Sequence, residues 1–391
     1  MILLPLLYLF FNFQTAGQNE TSEKTDAAIA AVAACRPCHE EIVRRFVNTA
    51  HFNTSRPAAA YSVKGRFSDG HNILRTVKPE TYFKMEQRDG AFYQTGYQRT
   101  EGGTQVRTEK FDLVMGSGRK GQSYLFWKNS LLFQLPVSYL TGINDWVNSP
   151  GYVDGEVQFD RIIPPRCLEC HATNFTLEST AGRVKYASEY LLGISCEKCH
   201  GPGARHVQYQ TDNPQETSAK YILNPGSFSR ARRIDNCALC HSGIGQPRRP
   251  SFSYKPGENL EKYFAPQSQA NARPDVHGNQ VALLRLSKCF ASSSDLTCST
   301  CHDVHREQRS TTELSQRCAR CHQPDKCGMF IKLGKQIAEN CIDCHLPNQP
   351  SRLITIMRPW GNYAPSYRNH LIGIYPAETA KFLQRLKENR R

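Results

Sequence analysis

A five-residue pattern, Cys-x-x-Cys-His, occurs seven times in this chain of 391 residues, which contains 16 Cys and 13 His. Random placement of these residues would give on the order of 0.02 copies of the pattern. Covalent attachment of haem c uses this pattern, because two thiols at a short fixed separation bond the vinyl groups of one porphyrin and the histidine binds its iron. The sequence therefore predicts seven covalently attached haem c groups.

The seven copies of the pattern are called units 1 to 7 here, in chain order. Their cysteines are Cys35 and Cys38, Cys167 and Cys170, Cys196 and Cys199, Cys237 and Cys240, Cys298 and Cys301, Cys318 and Cys321, and Cys341 and Cys344. The histidines that close the units, and that we expect to bind iron, are His39, His171, His200, His241, His302, His322 and His345.

Histidines outside the units are candidates for the opposite, distal face of each haem. They are His51, His71, His206, His277, His305 and His370. Each iron needs a sixth ligand, so we expect these histidines to bind iron as well. Six residues cannot serve seven irons. The remaining iron takes Met85, Met115, Met329, Met357 or a lysine, or stays five-coordinate and open to a small molecule.

Two of the spare histidines lie close in sequence to a unit that they are not expected to serve. Trans imidazoles stand on opposite faces of a porphyrin, with about 4 Å between their nitrogens at roughly 2 Å per metal–nitrogen bond. His305 follows His302 by three residues and would project from the same side of a short helix. We therefore expect His305 to bind the iron of a neighbouring haem. The same is expected of His206, which follows the Gly201-Pro202-Gly203 turn.

The number of haems limits the fold. Sharing the chain among seven haems leaves roughly 56 residues for each, which is less than a single-core domain needs. The macrocycles should therefore form much of the interior, in a mainly α and irregular, haem-cored fold that makes one domain over residues 18–391. Units 2 to 7 crowd into a dense six-haem region, 161–350, whose short gaps leave room only for a helix or a loop. Helical periodicity predicts a C-terminal helix within 371–391.

One part of the chain has a different pattern. Residues at about 70–160 contain no cysteine and alternate apolar with polar side chains, which predicts a small β-rich insertion. Turn signals at Asp89-Gly90 and Lys128-Asn129 predict two hairpins within it. Such an insertion is more often a structural cover or docking surface than a catalytic module.

The first residues and the net charge indicate a location and exclude a class of partner. Residues 1–17 read as a secretory signal peptide, since their apolar run is too short to span a bilayer; an uncleaved anchor is the alternative. No later stretch reaches transmembrane length, so we expect a periplasmic or extracellular bacterial protein without a transmembrane segment in its mature chain. The net charge of +14 is balanced by haem propionates, so nucleic acid is not an expected partner.

Two cysteines, Cys289 and Cys327, lie outside the units. In an oxidising compartment a disulfide between them is one prediction, and free or metal-ligating thiols are the other.

Several segments resemble a known family: CRPCHEEIVRRFVNTAH, GISCEKCHGPGARHV, SKCF followed by LTCSTCHDVH, and NCIDCHLP. They are similar to the exported multihaem cytochromes related to the tetrahaem cytochrome c-554, the c-552/c-554 domain group. The resemblance implies a mainly helical and loop fold, closely packed haem pairs, bis-histidine ligation at most irons, and electron transfer. It also implies distal roles for His51, His206, His277, His305 and His370.

Two functions follow from these observations. The first is an electron carrier that passes electrons along seven haems, with redox proteins or quinol-linked membrane enzymes as partners. The second is an enzyme that reduces or oxidises a small nitrogen or sulfur species, or peroxide, at the iron without a distal histidine. The first is favoured, and no catalytic residue is predicted. Zinc binding by the cysteine pairs is disfavoured, because every pair is followed by a histidine and preceded by an export signal.

Overall fold

The computed structural model describes residues 32–180, 183–243, 245–265, 274–308, 310–358 and 360–388. The predicted signal peptide, 1–17, lies outside the described residues. Within the described ranges, no helix combines the length and the apolar character needed to cross a bilayer.

The helices are short, and most of them carry a unit or lead into one. In the described ranges they are α1 (Arg36–Phe46), α2 (Pro165–His171), α3 (Glu197–His200), α4 (Ala204–Asp212), α5 (Arg230–His241), α6 (Gln280–Arg285), α7 (Lys288–Ser292), α8 (Cys298–Cys301), α9 (Thr311–Cys318), α10 (Phe330–Leu333), α11 (Ile342–His345) and α12 (Pro376–Glu388). Short 3₁₀ turns occupy Pro225–Ser227, Leu260–Lys262, Pro324–Lys326 and Gly334–Glu339.

The strands are antiparallel throughout. They are β1 (Ser55–Pro57), β2 (Ile73–Arg75), β3 (Thr81–Arg88), β4 (Ala91–Thr100), β5 (Gly103–Lys110), β6 (Leu113–Met115), β7 (Gly121–Lys128), β8 (Leu131–Gln134), β9 (Val137–Leu140), β10 (Asp145–Asn148), β11 (Ala172–Thr180), β12 (Arg183–Leu192), β13 (Asn348–Pro350) and β14 (Ser366–Arg368). One sheet has the order β1-β6-β7-β9-β10 with β8 on β7, a second is β2-β3-β4-β5, and β11-β12 and β13-β14 form two-stranded ribbons.

The prediction of a mainly α and irregular fold is wrong. Of the described residues, about 30% are helical and 24% lie in strands, so the fold is mixed. The β part is also wider than the expected 70–160, because β1 precedes it and the β11-β12 hairpin fills the gap between units 2 and 3. That gap was expected to hold only a helix or a loop. The first predicted hairpin turn is confirmed at Asp89-Gly90, and the second lies one residue later, at Asn129-Ser130.

The physical reason for this difference is that the two main sheets make a core from their own side chains. Strand β3 alternates buried and half-buried residues, as expected for a strand with one face on a core. Trp146, Tyr124 and Phe83 are fully buried in the resulting apolar cluster. Burial of such aromatic side chains supplies a large part of the driving force for folding, so this half of the molecule does not need macrocycles for its interior.

A second apolar cluster joins the sheets to the units. Leu168 of α2, only 1% exposed, packs among Leu132 of β8, Phe175 of β11 and Tyr186 of β12. The hydroxyl of Tyr186 donates to the backbone carbonyl of Ile163, 2.6 Å away, just before α2. The β part thus fixes the position of unit 2.

Candidate functional site

Each unit is one turn of helix. In units 1, 3, 5, 6 and 7 the backbone N–H of the histidine donates to the backbone carbonyl of the first cysteine over 2.9–3.0 Å. Units 2 and 4 are the last turns of α2 and α5. Residues three and four apart share a face of a helix, so this turn directs both thiols and the imidazole to the same side. That is the arrangement that attachment to a single porphyrin requires.

A buried ion pair ties unit 2 to unit 4. Arg166 Nη1 lies 2.9 Å from Glu169 Oε2, and the Glu169 side chain is only 1% exposed. The other end of the guanidinium donates to the backbone carbonyl of Leu239, inside unit 4, over 2.6 Å. Glu169 also accepts from the backbone N–H of Phe252. Charges at this depth are held in place by these hydrogen bonds, which fix the relative position of the two units.

Imidazole rings from distant parts of the chain face each other in three places. The ring centres are 6.1 Å apart for His51 and His241, 6.1 Å for His200 and His305, and 6.3 Å for His302 and His370. Each pair joins one unit histidine to one spare histidine. No other two histidine rings of the described residues are in contact at this spacing.

This spacing is the test of whether the residues fit a haem. Two imidazoles bound on opposite faces of one iron would have ring centres roughly 6.2 Å apart, taking about 2 Å for each metal–nitrogen bond and about 1.1 Å from nitrogen to ring centre. The three observed separations agree with that sum. The residues present therefore fit haem with two axial histidines at units 3, 4 and 5.

Six of the thirteen candidate imidazoles are oriented by a hydrogen bond at Nδ1. The partners are Thr54 Oγ1 for His171 (2.9 Å), the Leu223 carbonyl for His200 (2.8 Å), the Lys220 carbonyl for His206 (2.8 Å), Gln280 Oε1 for His241 (3.2 Å), the Gly373 carbonyl for His345 (2.7 Å) and the Arg368 carbonyl for His370 (3.1 Å). Carbonyl acceptors at Nδ1 leave Nε2 as the free nitrogen, which is how histidines that bind metals are usually held.

Five of the six paired imidazoles have a lowered pKa. Desolvation lowers the pKa of His51 and of His370 to about 4 each. Burial also lowers the pKa of His171, His241, His277, His302 and His305. At neutral pH these rings carry an unprotonated nitrogen, the form that binds metal.

The remaining predicted histidines have different surroundings. His277 lies near unit 4, because the Gly278 carbonyl accepts from the Gly243 N–H over 2.6 Å. His206 is partly exposed on α4, and His71 lies in an exposed turn before β2. His39 and His322 are exposed unit histidines.

The units touch one another through their helices and cysteines. Cys35 and Cys196 pack in one apolar cluster, which joins units 1 and 3. Cys170 lies beside Cys240, and Cys237 lies beside Cys298. Cys318 lies beside Cys341, which joins unit 6 to unit 7, and α8 contacts α9, which joins unit 5 to unit 6. Lys198 of unit 3 donates to the backbone carbonyl of Thr173, just after unit 2.

The four methionines that were named as possible iron ligands have different surroundings. Met85 is completely buried within the first sheet core, and Met115 packs against the second apolar cluster. Met329 precedes α10, between units 6 and 7, and Met357 is exposed. Cys289 and Cys327 are not joined by a disulfide.

Over the described ranges, no group of three or more His, Cys, Asp or Glu side chains is arranged to hold a metal ion.

Similarity to known proteins points to the same class as the units do. A family model described as cytochrome c554 and c-prime matches residues 148–201, which include units 2 and 3. The chain is 24% identical over 165 residues to the C-type polyheme cytochrome OmcC of Geobacter sulfurreducens, covering 40% of this chain and 20% of that protein. It is 24% identical over 195 residues to the multiheme cytochrome MtrA of Shewanella baltica, covering 48% and 54% respectively.

A solved structure is also similar, at a low level. The undecaheme cytochrome from the S-layer of Carboxydothermus ferrireducens aligns with a TM-score of 0.40 and 16% identity, covering 92% of this chain and 60% of that one. The repeated haem-attachment turns and the sequence matches define the class: the chain is a multihaem c-type cytochrome, with covalently bound haem c. Within that class, its similarity to the c554 and c-prime family lies in 148–201. It spans only 20% and 54% of the lengths of OmcC and MtrA.

Proposed function

We propose that this chain is an exported heptahaem cytochrome that carries electrons along a contiguous row of haem c groups, most of them with two histidine ligands. Haem c supplies reversible one-electron redox chemistry when bound. The observation that carries the proposal is that the seven attachment turns touch one another, from unit 1 through unit 3 to unit 7, while three spare imidazoles face unit histidines. Short gaps between attachment sites favour electron tunnelling from one to the next.

The residues have separate roles in this proposal. The cysteines of each unit hold the porphyrin, and the helical turn aims the unit histidine at its centre. His51, His305 and His370 approach from other segments, so each of them ties two distant parts of the chain to one site. Hydrogen bonds at Nδ1 fix ring orientation and make the imidazoles better ligands.

The contacts also suggest a branched path. Unit 4 touches unit 2 through Cys240 and unit 5 through Cys237. His305, which follows the unit 5 histidine by three positions, faces His200 of unit 3, so unit 3 connects to unit 5 directly and unit 2 stands beside the row rather than within it. Units 5, 6 and 7 follow in order. On this arrangement, loss of the haem at unit 5 separates units 1–4 from units 6 and 7.

The experiment compares two variants that each lack one haem. In the first variant, both cysteines of unit 5 are replaced by serine, and reduction of the haems by a chemical donor is followed at the α-band. The remaining haems should then be reduced as two independent populations. The matched control replaces both cysteines of unit 2, and its remaining haems should still reduce as one pool. Intact mass establishes that six haems remain in each variant. If the two variants behave alike, the row is not ordered as proposed, and an absent α-band in the native protein refutes the haem assignment itself.

The proposed location is the periplasm or the cell exterior, which suits covalent haem attachment in bacteria. The proposed partners are redox proteins or quinol-linked membrane enzymes. The named relatives are polyheme or multiheme cytochromes, which supports the electron-transfer role in general terms.

A further inference from the structure

One iron must lack a distal histidine, because only six spare histidines stand against seven units. We infer that this iron belongs to unit 6 or unit 7, within residues 318–345. We also infer that it binds small neutral π-acceptor molecules, for which carbon monoxide is the probe. The inference rests on the proposed function, since it requires all seven haems.

Units 3, 4 and 5 are excluded by the facing imidazoles. His305 faces the unit 3 histidine, His51 that of unit 4, and His370 that of unit 5, at ring-centre separations of 6.1–6.3 Å. A second histidine at each of these irons leaves no open coordination position.

Unit 2 has its own nearby spare histidine. The hydrogen bond from Gly243 N–H to the Gly278 carbonyl, 2.6 Å long, holds His277 beside unit 4, which contacts unit 2 through Arg166 and Leu239. Unit 4 already faces His51, so we assign His277 to unit 2.

Unit 1 is served from the segment that follows unit 3. Cys35 and Cys196 pack in the same apolar cluster, so units 1 and 3 are immediate neighbours. His206 lies in the first turn of α4 just beyond unit 3, and its Nδ1 is held by the Lys220 carbonyl at 2.8 Å, which leaves Nε2 free. Unit 3 faces His305 instead, so we assign His206 to unit 1.

Counting then locates the open iron. Five spare histidines are used by units 1 to 5, and only His71 remains for units 6 and 7. Whichever of these two units His71 serves, and even if it serves neither, at least one iron between Cys318 and His345 has no distal histidine.

The surroundings of units 6 and 7 permit access by a small molecule. Cys321 and His322 of unit 6 are exposed. Met329, at the start of α10, lies in the segment between the two units and is the competing internal ligand. Methionine ligation there would close the site and raise the reduction potential.

The experiment titrates the reduced native protein with carbon monoxide and counts the molecules bound per chain from the visible difference spectrum. We expect about one molecule per chain, since bis-histidine irons have no vacant position. Alanine variants of His51, His206, His277, His305 and His370 are then titrated separately. Each should bind about two molecules per chain, a twofold increase, because each opens one further iron while leaving every cysteine in place.

The outcomes separate this inference from the proposed function. If His206→Ala still binds the native amount, unit 1 is not served by that histidine and the inference falls. No binding by the native protein, with seven haems confirmed by mass, also overturns it and points to an internal ligand such as Met329. Loss of native binding on replacing both cysteines of unit 6 or of unit 7, but not those of unit 2, supports it directly. A haem count of zero would instead refute the proposed function.

Discussion

Replacing His305 by alanine tests the least intuitive ligand pairing. The ring of His305 lies 6.1 Å from that of His200 of unit 3, although His305 follows His302 of unit 5 by only three positions in the sequence. On the proposed pairing, the variant loses the distal ligand of the haem at unit 3 and keeps that of unit 5. One of the six irons with two axial ligands should change, so about one sixth of the low-spin intensity should convert to a high-spin signal.

The assay is electron paramagnetic resonance of the fully oxidised protein, with spin quantified against the native sample. His370→Ala is the matched control, since it should release about the same intensity from unit 5. A double-mutant cycle then assigns the new high-spin signal to one haem. When both cysteines of unit 3 are also replaced, the new high-spin signal of His305→Ala should vanish, because the two changes act on one site.

Removal of the unit 5 cysteines should leave that signal in place. The pairing is refuted if the reverse occurs, with the signal surviving loss of unit 3 and disappearing with unit 5. It is also refuted if His305→Ala leaves the low-spin intensity unchanged.

The other predictions concern stability. Trp146→Ala removes a fully buried indole and should cost about 3–5 kcal/mol in free energy of unfolding, whereas exposed Trp360→Ala should cost less than about 0.5 kcal/mol; equal denaturation midpoints would contradict the core assignment. Gly193→Ala places a Cβ against the Phe52 carbonyl at a positive φ and should destabilise by about 1–3 kcal/mol, more than the same change at Gly278, which also has a positive φ but has open space around it. Glu169→Ala leaves a buried guanidinium unpaired and should cost about 3–5 kcal/mol, measured by denaturant unfolding.

The cofactor could be predicted from the sequence because its attachment is local. Two cysteines and a histidine within five residues are the complete covalent requirement, and a single helical turn satisfies it. No tertiary contact is needed to recognise such a site, so the class of protein follows from the pattern alone.

The fold was less predictable, because the units say nothing about the segments between them. Haem number suggested an interior made of macrocycles, yet the sheets build their own core around Trp146 and Tyr124. The gap after unit 2 was expected to be a helix or loop, but it is a hairpin whose Phe175 and Tyr186 pack in the second apolar cluster. Alternation in this hairpin is interrupted by two register shifts, which weakens its signal in the sequence.

Ligand pairing depends on tertiary structure in the same way. The three-position spacing from His302 predicted that His305 binds the iron of a neighbouring haem. It did not predict that this haem is the one at unit 3. The acceptors that orient the imidazoles, such as the carbonyls of Leu223 and Gly373, carry no signal at all, since every residue has a backbone carbonyl. These acceptors are visible only once the chain is folded.

The most direct test of the account is the intact mass of the native protein under denaturing conditions, which retain covalent attachments and remove other ligands. The account predicts one species that carries seven haem additions to the mature polypeptide, one for each unit. The bare polypeptide mass, or a count other than seven, would contradict it.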